Sequence, residues 1–411
     1  MIQHRIGRWL FCLSGLLFSF IHSEAQDHSG VKLIPHTIKL ANRKAFSLNL
    51  PENFDISVAA EGLRRVRFLS KAPDDRIFVT DMYDRSDNSQ GKVYILDDFD
   101  AKTGKFARIT PYLQHLRNPN NVAFYTDSSG QTWLYLALTD KLERFRFHAG
   151  EKSPSSTPEV LATYPDYGLN YKYGGWHLTR TVAFGENENK LYVTVGSSCN
   201  ECEEKEEIRA TVSEMDPDGK NARIIGQGLR NAVGLRWVKD TLYATNMGAD
   251  HLGDDAPDDT MFAISMNSAL PHEVRNYGWP YCYFKDGKIF DDPTFPSSSK
   301  KMDCAKVPVP FATFAAHSSP LGLEYFDSSS TDSALRNYFL VALHGSSKKH
   351  LNRGYRVVRL KDHSGPEDFI TGFIKDGIIY GRPCGILKIA PDAFLLTDDH
   401  SGVIYYIRRK I

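Results

Sequence analysis

The chain has 411 residues, of which 41% are hydrophobic and 24% are charged, an ordinary composition for a globular protein. Its 50 basic residues equal its 50 acidic residues, so the formal net charge is zero. A nucleic-acid partner would require a basic surplus or stripe, and an anionic membrane surface would require a long basic run. Neither is present, which leaves a small, weakly charged ligand as the expected class of partner.

The N-terminus is typical of an exported protein. Arg5 and Arg8 precede an apolar run at 9–21, and the small residues Ser23 and Ala25 follow it. A basic start, a short apolar core and a small-x-small exit describe a cleavable secretory signal, and the run is shorter than the ~20 residues of a membrane span. We therefore predict a periplasmic or secreted protein without a membrane span. The predicted segments are a signal peptide at 1–25, an extension at 26–52 and one folded domain at 53–411.

Five cysteines remain once Cys12 is removed with the predicted signal. In an oxidising compartment, Cys282 and Cys304 suit a loop-closing disulfide. Cys199 and Cys202 form a C-x-x-C, which is compatible with a local disulfide, a redox pair or half of a metal site. Because the sequence has no second C-x-x-C, we favour the local disulfide. Cys384 is then the odd cysteine.

One strand pattern recurs six times along the chain: an alternating apolar strand, a polar turn, and a second apolar strand that ends in small residues. The irregular spacing indicates propeller blades with long inserted loops. A β-sandwich is the alternative for many short strands, but the sixfold recurrence favours an all-β, six-bladed β-propeller. The strand-like segment 54–59 is predicted to pair with the last blade and close the ring. The six repeats begin at Val66, Asn121, Thr181, Val233, Leu321 and Gly385.

Polar residues stand directly before these first strands. In a propeller, the loops that enter the innermost strands converge at one mouth of the central channel. We therefore expect these side chains to share one site. They are Asn120, His177, Arg230, Asn231, His317 and Arg382.

Two of these positions suggest chemistry. His177 follows Gly174-Gly175-Trp176, and a neutral imidazole at the mouth can accept a proton because its reference pKa of ~6.5 lies near working pH. A hydrogen-bonded structural histidine is the alternative. Arg230 and Asn231 place a cation and an amide together, which suits a partner with adjacent carbonyl oxygens. An arginine fixed by a neighbouring carboxylate is the alternative there.

An acidic loop follows the fourth repeat. Its density of carboxylates and loop carbonyls suits calcium, which prefers six to eight oxygen ligands. A solvated acidic turn is the alternative. The candidate calcium ligands are Asp254, Asp255, Asp258 and Asp259.

The order of the motifs resembles the soluble quinoprotein sugar dehydrogenases, the glucose/sorbosone dehydrogenase family. That family consists of six-bladed propellers that use pyrroloquinoline quinone (PQQ) and calcium to oxidise aldoses at the anomeric hydroxyl. The resemblance runs from about Phe54 to the C-terminus. The motifs that carry it are His177, 195–200, 214–219, 228–231, 253–255, 277–281, 317–323, 343–346 and 380–385.

The resemblance implies roles for individual residues. His177 corresponds to the general base, and the product would be a lactone, with the hydride passing to the quinone and the electrons then to a periplasmic acceptor. Arg230 and Asn231 correspond to the pair that hydrogen-bonds the quinone oxygens. Arg382 corresponds to a partner of a cofactor carboxylate, and Arg353 lies in the segment of the family's quinone-contacting lysine. The carbonyls of Gly248 and Ala249 correspond to calcium ligands.

The chain also departs from the family. Trp176 replaces an acidic residue before the histidine, and Cys384 stands near the place of a second cofactor arginine. Residues 344–349 read His-Gly-Ser-Ser-Lys-Lys where related members read His-Gly-Ser-Trp-Asn-Arg. Two other functions therefore stay open. One is a propeller without catalysis that binds a glycan or protein. The other is a calcium-dependent lactonase, which the His and Arg residues at the strand entries fit poorly.

Overall fold

The recurring strand pairs form six antiparallel sheets, each the blade of a propeller. The structure is a computed structural model, and it describes residue 1 and residues 30–166, 177–185, 189–264, 274–295, 302–348, 350–361 and 364–410. The signal-peptide prediction, Gly174, Gly175 and Trp176 lie outside these ranges. Within them, no helix has the length and apolar character to cross a membrane.

The strands run in chain order from the innermost strand of each blade outward. A hairpin of β1 (Leu33–Ile38) and β2 (Phe46–Pro51), then β3 (Phe54–Ala60), precede the first blade. Blade 1 is β4 (Val66–Lys71), β5 (Ile77–Asp81), β6 (Gly91–Asp100) and β7 (Lys105–Leu116). Blade 2 is β8 (Asn121–Thr126), β9 (Thr132–Ala137), β10 (Lys141–Phe147) and β11 (Glu159–Thr163). Blade 3 is β12 (Arg180–Phe184), β13 (Leu191–Val195), β14 (Thr211–Met215) and β15 (Arg223–Gln227).

The second half of the ring carries the longer insertions. Blade 4 is β16 (Ala232–Val238), β17 (Thr241–Asn246), β18 (Asp259–Ile264) and β22 (Ala312–Phe314). Its insertion holds β19 (Arg275–Asn276), which joins blade 3, the hairpin β20 (Cys282–Lys285) and β21 (Lys288–Asp291), and a 3₁₀ turn at Cys304–Lys306. Blade 5 is β23 (Pro320–Phe326), β24 (Tyr338–Leu343), β25 (Arg356–Leu360) and β26 (Glu367–Ile370). After the hairpin β27 (Ile374–Lys375) and β28 (Ile378–Ile379), blade 6 is β29 (Pro383–Ala390), β30 (Ala393–Asp398) and β31 (Val403–Arg409).

The ring closes as the sequence predicted. Strand β3 pairs antiparallel with β31 and completes blade 6, with Phe54 opposite Arg409. The innermost strands β4, β8, β12, β16, β23 and β29 each contact the next, and β29 contacts β4. This closed ring of inner strands confirms the six-bladed propeller.

Aromatic side chains pack between neighbouring blades and fix their spacing. Phe78 of β5 meets Phe124 of β8 edge to face, with ring centroids 5.1 Å apart. Tyr192 of β13 stacks on Trp237 of β16 at 5.1 Å. Such pairs add about 0.5–1.5 kcal/mol to the free energy gained by burying the rings. The apolar side chains that alternate along the strands thus form an apolar layer between neighbouring blades.

Threonine hydroxyls fasten the blades to each other around the channel. Thr80 Oγ1 donates to the Asn120 carbonyl at 2.6 Å, and Thr181 Oγ1 donates to the Val233 carbonyl at 2.7 Å. Thr245 Oγ1 donates in the same way to the next blade, at 2.8 Å. Each bond joins one blade to the start of the next, so consecutive blades are linked along the channel wall.

The cysteine predictions are confirmed. Cys199 pairs with Cys202 and Cys282 pairs with Cys304, while Cys384 is free and buried.

Candidate functional site

The inner strands begin at one end of the channel, and a cavity of about 290 Å³ opens there. This mouth combines two imidazoles, one amide and three guanidinium groups with apolar side chains. We call it the mouth cavity. Its lining residues are Arg65, Arg67, Met82, Arg85, His177, Leu178, Thr179, Asn231, Val233, Met247, Leu321 and His344.

The imidazole of His177 is held in one tautomer. Its Nδ1 lies 3.0 Å from the Ser197 carbonyl oxygen and 2.9 Å from Ser197 Oγ, whose own hydrogen goes to the Cys199 carbonyl. Because a carbonyl can only accept, the proton is on Nδ1 and the basic lone pair is on Nε2. Burial, with the charge of Arg230 adding to it, holds the pKa of His177 well below its usual value. The imidazole is therefore neutral at pH 7 and able to accept a proton.

A glycine lets the imidazole and an amide meet. A Cβ on Gly196, just after β13, would lie 2.5 Å from His177 Cβ and 2.7 Å from Asn231 Oδ1. Asn231 is 6% exposed, and its Nδ2 donates to Met247 Sδ at 3.3 Å. Its Oδ1 is buried and finds no hydrogen-bond partner among the described residues. Since the two ends of a carboxamide are assigned from their bonds alone, the amide can offer a ligand either an acceptor or a donor.

Arg230 does not line the mouth cavity. Its side chain is buried and donates to the Asn200 carbonyl from Nε at 2.9 Å and to the Gly248 carbonyl at 2.8 Å. Asn200 sits inside the Cys199–Cys202 disulfide loop. Arg230 therefore fastens the loops behind His177 and acts on its pKa through charge, while its predicted contact with the quinone stays a prediction.

A cationic cluster from blade 1 was missed by the sequence reasoning. Asp399 is fully buried, and its carboxylate binds Arg65 at 2.8 Å, Arg67 at 2.6 Å and His344 Nε2 at 2.7 Å. Burial lowers the pKa of His344 to about 4, so a neutral His344 donates its Nε2–H to the carboxylate. Two guanidinium groups thus share one carboxylate, and exposed Arg85 adds a further positive charge at the rim. The mouth carries surplus positive charge and favours an anion.

The signal for this cluster was the run Arg64-Arg65-Val66-Arg67 at the entry of the first inner strand. This cluster also supplies positive charge at the mouth, where the resemblance implies a second arginine and the chain has Cys384. The thiol is fully buried beside Arg67, and burial raises the pKa of Cys384 to about 12, so it is neutral. Blade 1 supplies the charge that blade 6 lacks.

Arg382 lies behind His344. It donates to the Gly345 and Ser346 carbonyls, both at 2.9 Å, and its guanidinium covers the Tyr355 ring at 4.7 Å. It therefore holds the segment that carries His344, and its predicted contact with a cofactor carboxylate stays a prediction.

The predicted calcium ligands have protein partners. Asp254 binds Lys348 at 3.2 Å and His350 at 2.8 Å. Asp255 binds Arg353, which was predicted to contact the cofactor. His317 was predicted at the mouth but does not line the mouth cavity. It lies by this loop, with its Nε2 2.7 Å from the Gly253 carbonyl oxygen.

The other two aspartates face backbone amides. Asp258 accepts from Gly287 at 3.1 Å, and buried Asp259 accepts from Gly248 and Ser319, both at 2.7 Å. Burial raises the pKa of Asp259 to about 7. With the Gly248 carbonyl taken by Arg230, this donor set fits calcium poorly, and calcium at Gly248, Ala249 or the aspartates stays a prediction.

The opposite end of the channel differs in charge. A cavity of about 420 Å³ opens there, and its basic side chains each have an acidic partner. The pairs are Lys71–Asp75 at 2.7 Å, Arg236–Glu324 at 2.7 Å and Lys388–Asp327 at 3.3 Å. Among the described lining residues, a neutral base and surplus positive charge occur together at the first mouth and not at the second.

The mouth cavity fits a planar, polycarboxylate quinone. The guanidinium groups of Arg65, Arg67 and Arg85 would hold its carboxylates, and Asn231 would meet a ring or quinone heteroatom with its unpartnered amide end. Val233 and Leu321 line the cavity, backed by buried Cys384, and offer an apolar surface suited to the face of a flat ring system. Charge, amide and apolar surface together match this cofactor.

Comparison with known proteins agrees with the geometry. The TrAA12-like family model matches residues 49–368. The calcium structure of a Trichoderma reesei carbohydrate-active enzyme of family AA12 is 17% identical, with a TM-score of 0.69 over 88% of this chain and 96% of that one. The holo PQQ domain of pyranose dehydrogenase from Coprinopsis cinerea is 19% identical, with a TM-score of 0.68 over 89% and 97%. The PQQ-bound aldose sugar dehydrogenase from Streptomyces coelicolor is 18% identical, with a TM-score of 0.57 over 88% and 100%.

No curated protein sequence matches the chain. At these identities the solved structures show a shared fold, and the family model adds the sequence relationship. The resemblance to soluble PQQ-dependent sugar dehydrogenases that the motif order predicted is thereby confirmed. Because the family model spans most of its length, the chain belongs to the TrAA12-like family.

Proposed function

We propose that this protein oxidises an aldose-type sugar at its anomeric hydroxyl to a lactone with PQQ as cofactor. The observation that carries the proposal is a neutral histidine of fixed tautomer, His177, in a mouth with surplus positive charge. Membership of the TrAA12-like family and the PQQ-bound structures of similar fold support it. When bound, PQQ would supply the acceptor for the hydride of the sugar's C1 carbon.

In this proposal, His177 takes the hydroxyl proton. Ser197 keeps its Nδ1 protonated, which leaves Nε2 to act as the base. Burial and Arg230 make protonation of His177 costly in the protein alone. Anionic charge in the mouth offsets both effects and raises the pKa of His177, so the base is strongest when the site is loaded.

The electrons would pass to an acceptor outside the cytoplasm. The predicted secretory signal and the two disulfides support an oxidising compartment, periplasmic or extracellular. Of the other functions, a calcium-dependent lactonase is not favoured, because none of the described residues that line the mouth carries a carboxylate.

Reconstitution tests the proposal. PQQ is added to the apo-protein with and without calcium, its binding is followed by absorbance, and dye reduction is measured with several aldoses. The variant His177→Asn should bind the quinone but oxidise sugar about 10²–10⁴-fold more slowly, since it lacks the base. His148→Asn, which changes an exposed histidine after β10, is the control. Absence of quinone binding, or an unchanged rate in His177→Asn, would refute the proposal.

A further inference from the structure

A second cavity, of about 400 Å³, opens in blade 1 on the same face of the ring as the mouth cavity. Its residues come from the start of β4, the end of β5, the start of β6 and the end of β7, which all lie at that face. We call it the blade 1 pocket. Six of its lining residues carry the inference, namely Arg64, Tyr83, Gln90, Tyr94, Gln114 and His115.

The blade 1 pocket and the mouth cavity share a wall. Arg64 lines the pocket and Arg65 the mouth, and Met82, between Asp81 and Tyr83, also lines the mouth. Consecutive residues are about 3.8 Å apart at Cα, so one chain thickness separates the two spaces. Asp81 fixes this wall, because its carboxylate accepts from the backbone amides of Arg64 at 2.8 Å, Arg65 at 2.9 Å and Tyr83 at 2.8 Å.

The lining has the chemistry that recognises a sugar ring. The two tyrosines offer hydroxyls for the polar edge of a pyranose, while one face of each ring already lies under a cation, Tyr83 under Arg64 and Tyr94 under Lys92. Two exposed glutamines offer primary amides, each with two donors and an acceptor, which match adjacent sugar hydroxyls. Neither amide is used by a hydrogen bond within the described residues.

The backbone supports a built site. Tyr83 and His115 have φ values of 70° and 59°, a conformation that non-glycine residues rarely adopt and that persists only where surroundings impose it. Arg64 lies over the Tyr83 ring at 4.6 Å and holds it in place. The positive charges of Arg64 and Lys92 outweigh that of Asp81, so the pocket disfavours an amino sugar.

We propose that the blade 1 pocket is a saccharide subsite that binds the next pyranose units of an oligosaccharide whose reducing end lies in the mouth cavity. The inference rests on the proposed function, because oxidation at C1 requires the free anomeric end and directs the rest of the chain away from the mouth. The protein would then act on oligosaccharides in preference to single sugars.

The experiment compares sugars of one to four units in the malto and cello series. Binding to the apo-protein is measured by calorimetry, and oxidation by the PQQ-loaded protein by dye reduction. In at least one series, the tetrasaccharide should bind the apo-protein and give a kcat/KM roughly tenfold above that of the monosaccharide. Two hydrogen bonds to the amides are enough for such a factor.

The double variant Gln90→Ala/Gln114→Ala should remove this tenfold preference and weaken tetrasaccharide binding by a similar factor. Tyr94→Phe, which keeps the ring and removes the hydroxyl, should lower the preference by less. Gln131→Ala, in the β8–β9 turn at the opposite face of the ring, is the matched control and should leave the preference unchanged.

The outcomes separate the two proposals. Sugar oxidation without chain-length preference in either series, or a preference that survives the double variant, overturns the subsite alone. If no sugar is oxidised, the proposed function fails, and calorimetry still decides the subsite. Tetrasaccharide binding that the double variant weakens about tenfold then supports it. Absence of binding, or binding that the double variant leaves unchanged, overturns it.

Discussion

Asp399 holds the cationic cluster of the mouth together, and the variant Asp399→Asn tests that arrangement. The carboxylate is fully buried and balances Arg65 and Arg67, which come from the other end of the chain. The asparagine keeps the shape of the side chain and can still accept from His344. Its amide nitrogen then faces the two guanidinium groups in place of Oδ2, so the substitution removes both the negative charge and the acceptor that they share.

The expected loss follows from the burial of the partners. The Arg67 side chain is 5% exposed, so it has little access to water once its counter-charge is gone. Removing one partner of a buried ion pair costs about 3–5 kcal/mol. Over the folded unit from Val31 to Ile411, an unfolding entropy of about 2.1 cal/mol/K per residue amounts to about 0.8 kcal/mol/K. The melting temperature should therefore fall by about 4–6 °C.

Calorimetric unfolding at pH 7 measures this shift. The control Asp368→Asn removes the partner of Arg356 in an ion pair whose side chains are 37% and 41% exposed, and it should cost less than about 1 kcal/mol. Because the mouth gains one net positive charge, Asp399→Asn should also bind PQQ more tightly while it is less stable. A melting temperature within about 1 °C of the unchanged protein would refute the buried-charge reasoning.

Three further changes test other features. Gly196→Ala should lower kcat about 10–100-fold, because the new Cβ would lie 2.5 Å from His177 Cβ and displace the imidazole. Gly365→Ala is the control, because a Cβ there would lie in open space. Equal activity of the two variants would contradict the packing argument. The pKa of His344 is about 4 when folded and ~6.5 when unfolded, so the unfolded chain takes up its proton first as pH falls. The free energy of unfolding therefore decreases between pH 6.5 and pH 4 as the unfolded chain binds this proton. Urea unfolding should show that this decrease is about 3 kcal/mol smaller in His344→Asn than in the unchanged protein. Cys304→Ser opens a disulfide with a sequence separation of 22 and should lower the free energy of unfolding by about 3 kcal/mol. In reducing agent, the variant and the unchanged protein should be equally stable.

The sequence by itself determined the two inner strands of each of the six repeats and the ring closure by β3. These follow from period-two alternation and turn residues, which act between neighbours along the chain. It also placed His177 and Asn231 at one mouth, because both stand at the entry of an inner strand, and the structure brings them together at Gly196.

Only the tertiary structure decided which charges meet. Arg67 and Asp399 are 332 residues apart, and ring closure alone makes them a buried pair. Arg230 stands at a strand entry as expected, yet its side chain turns to Asn200 and Gly248, whose positions depend on the disulfide loop and the loop after β17. The partner of a charged side chain is set by which loops the closed ring brings together, and a local pattern carries no information about that choice.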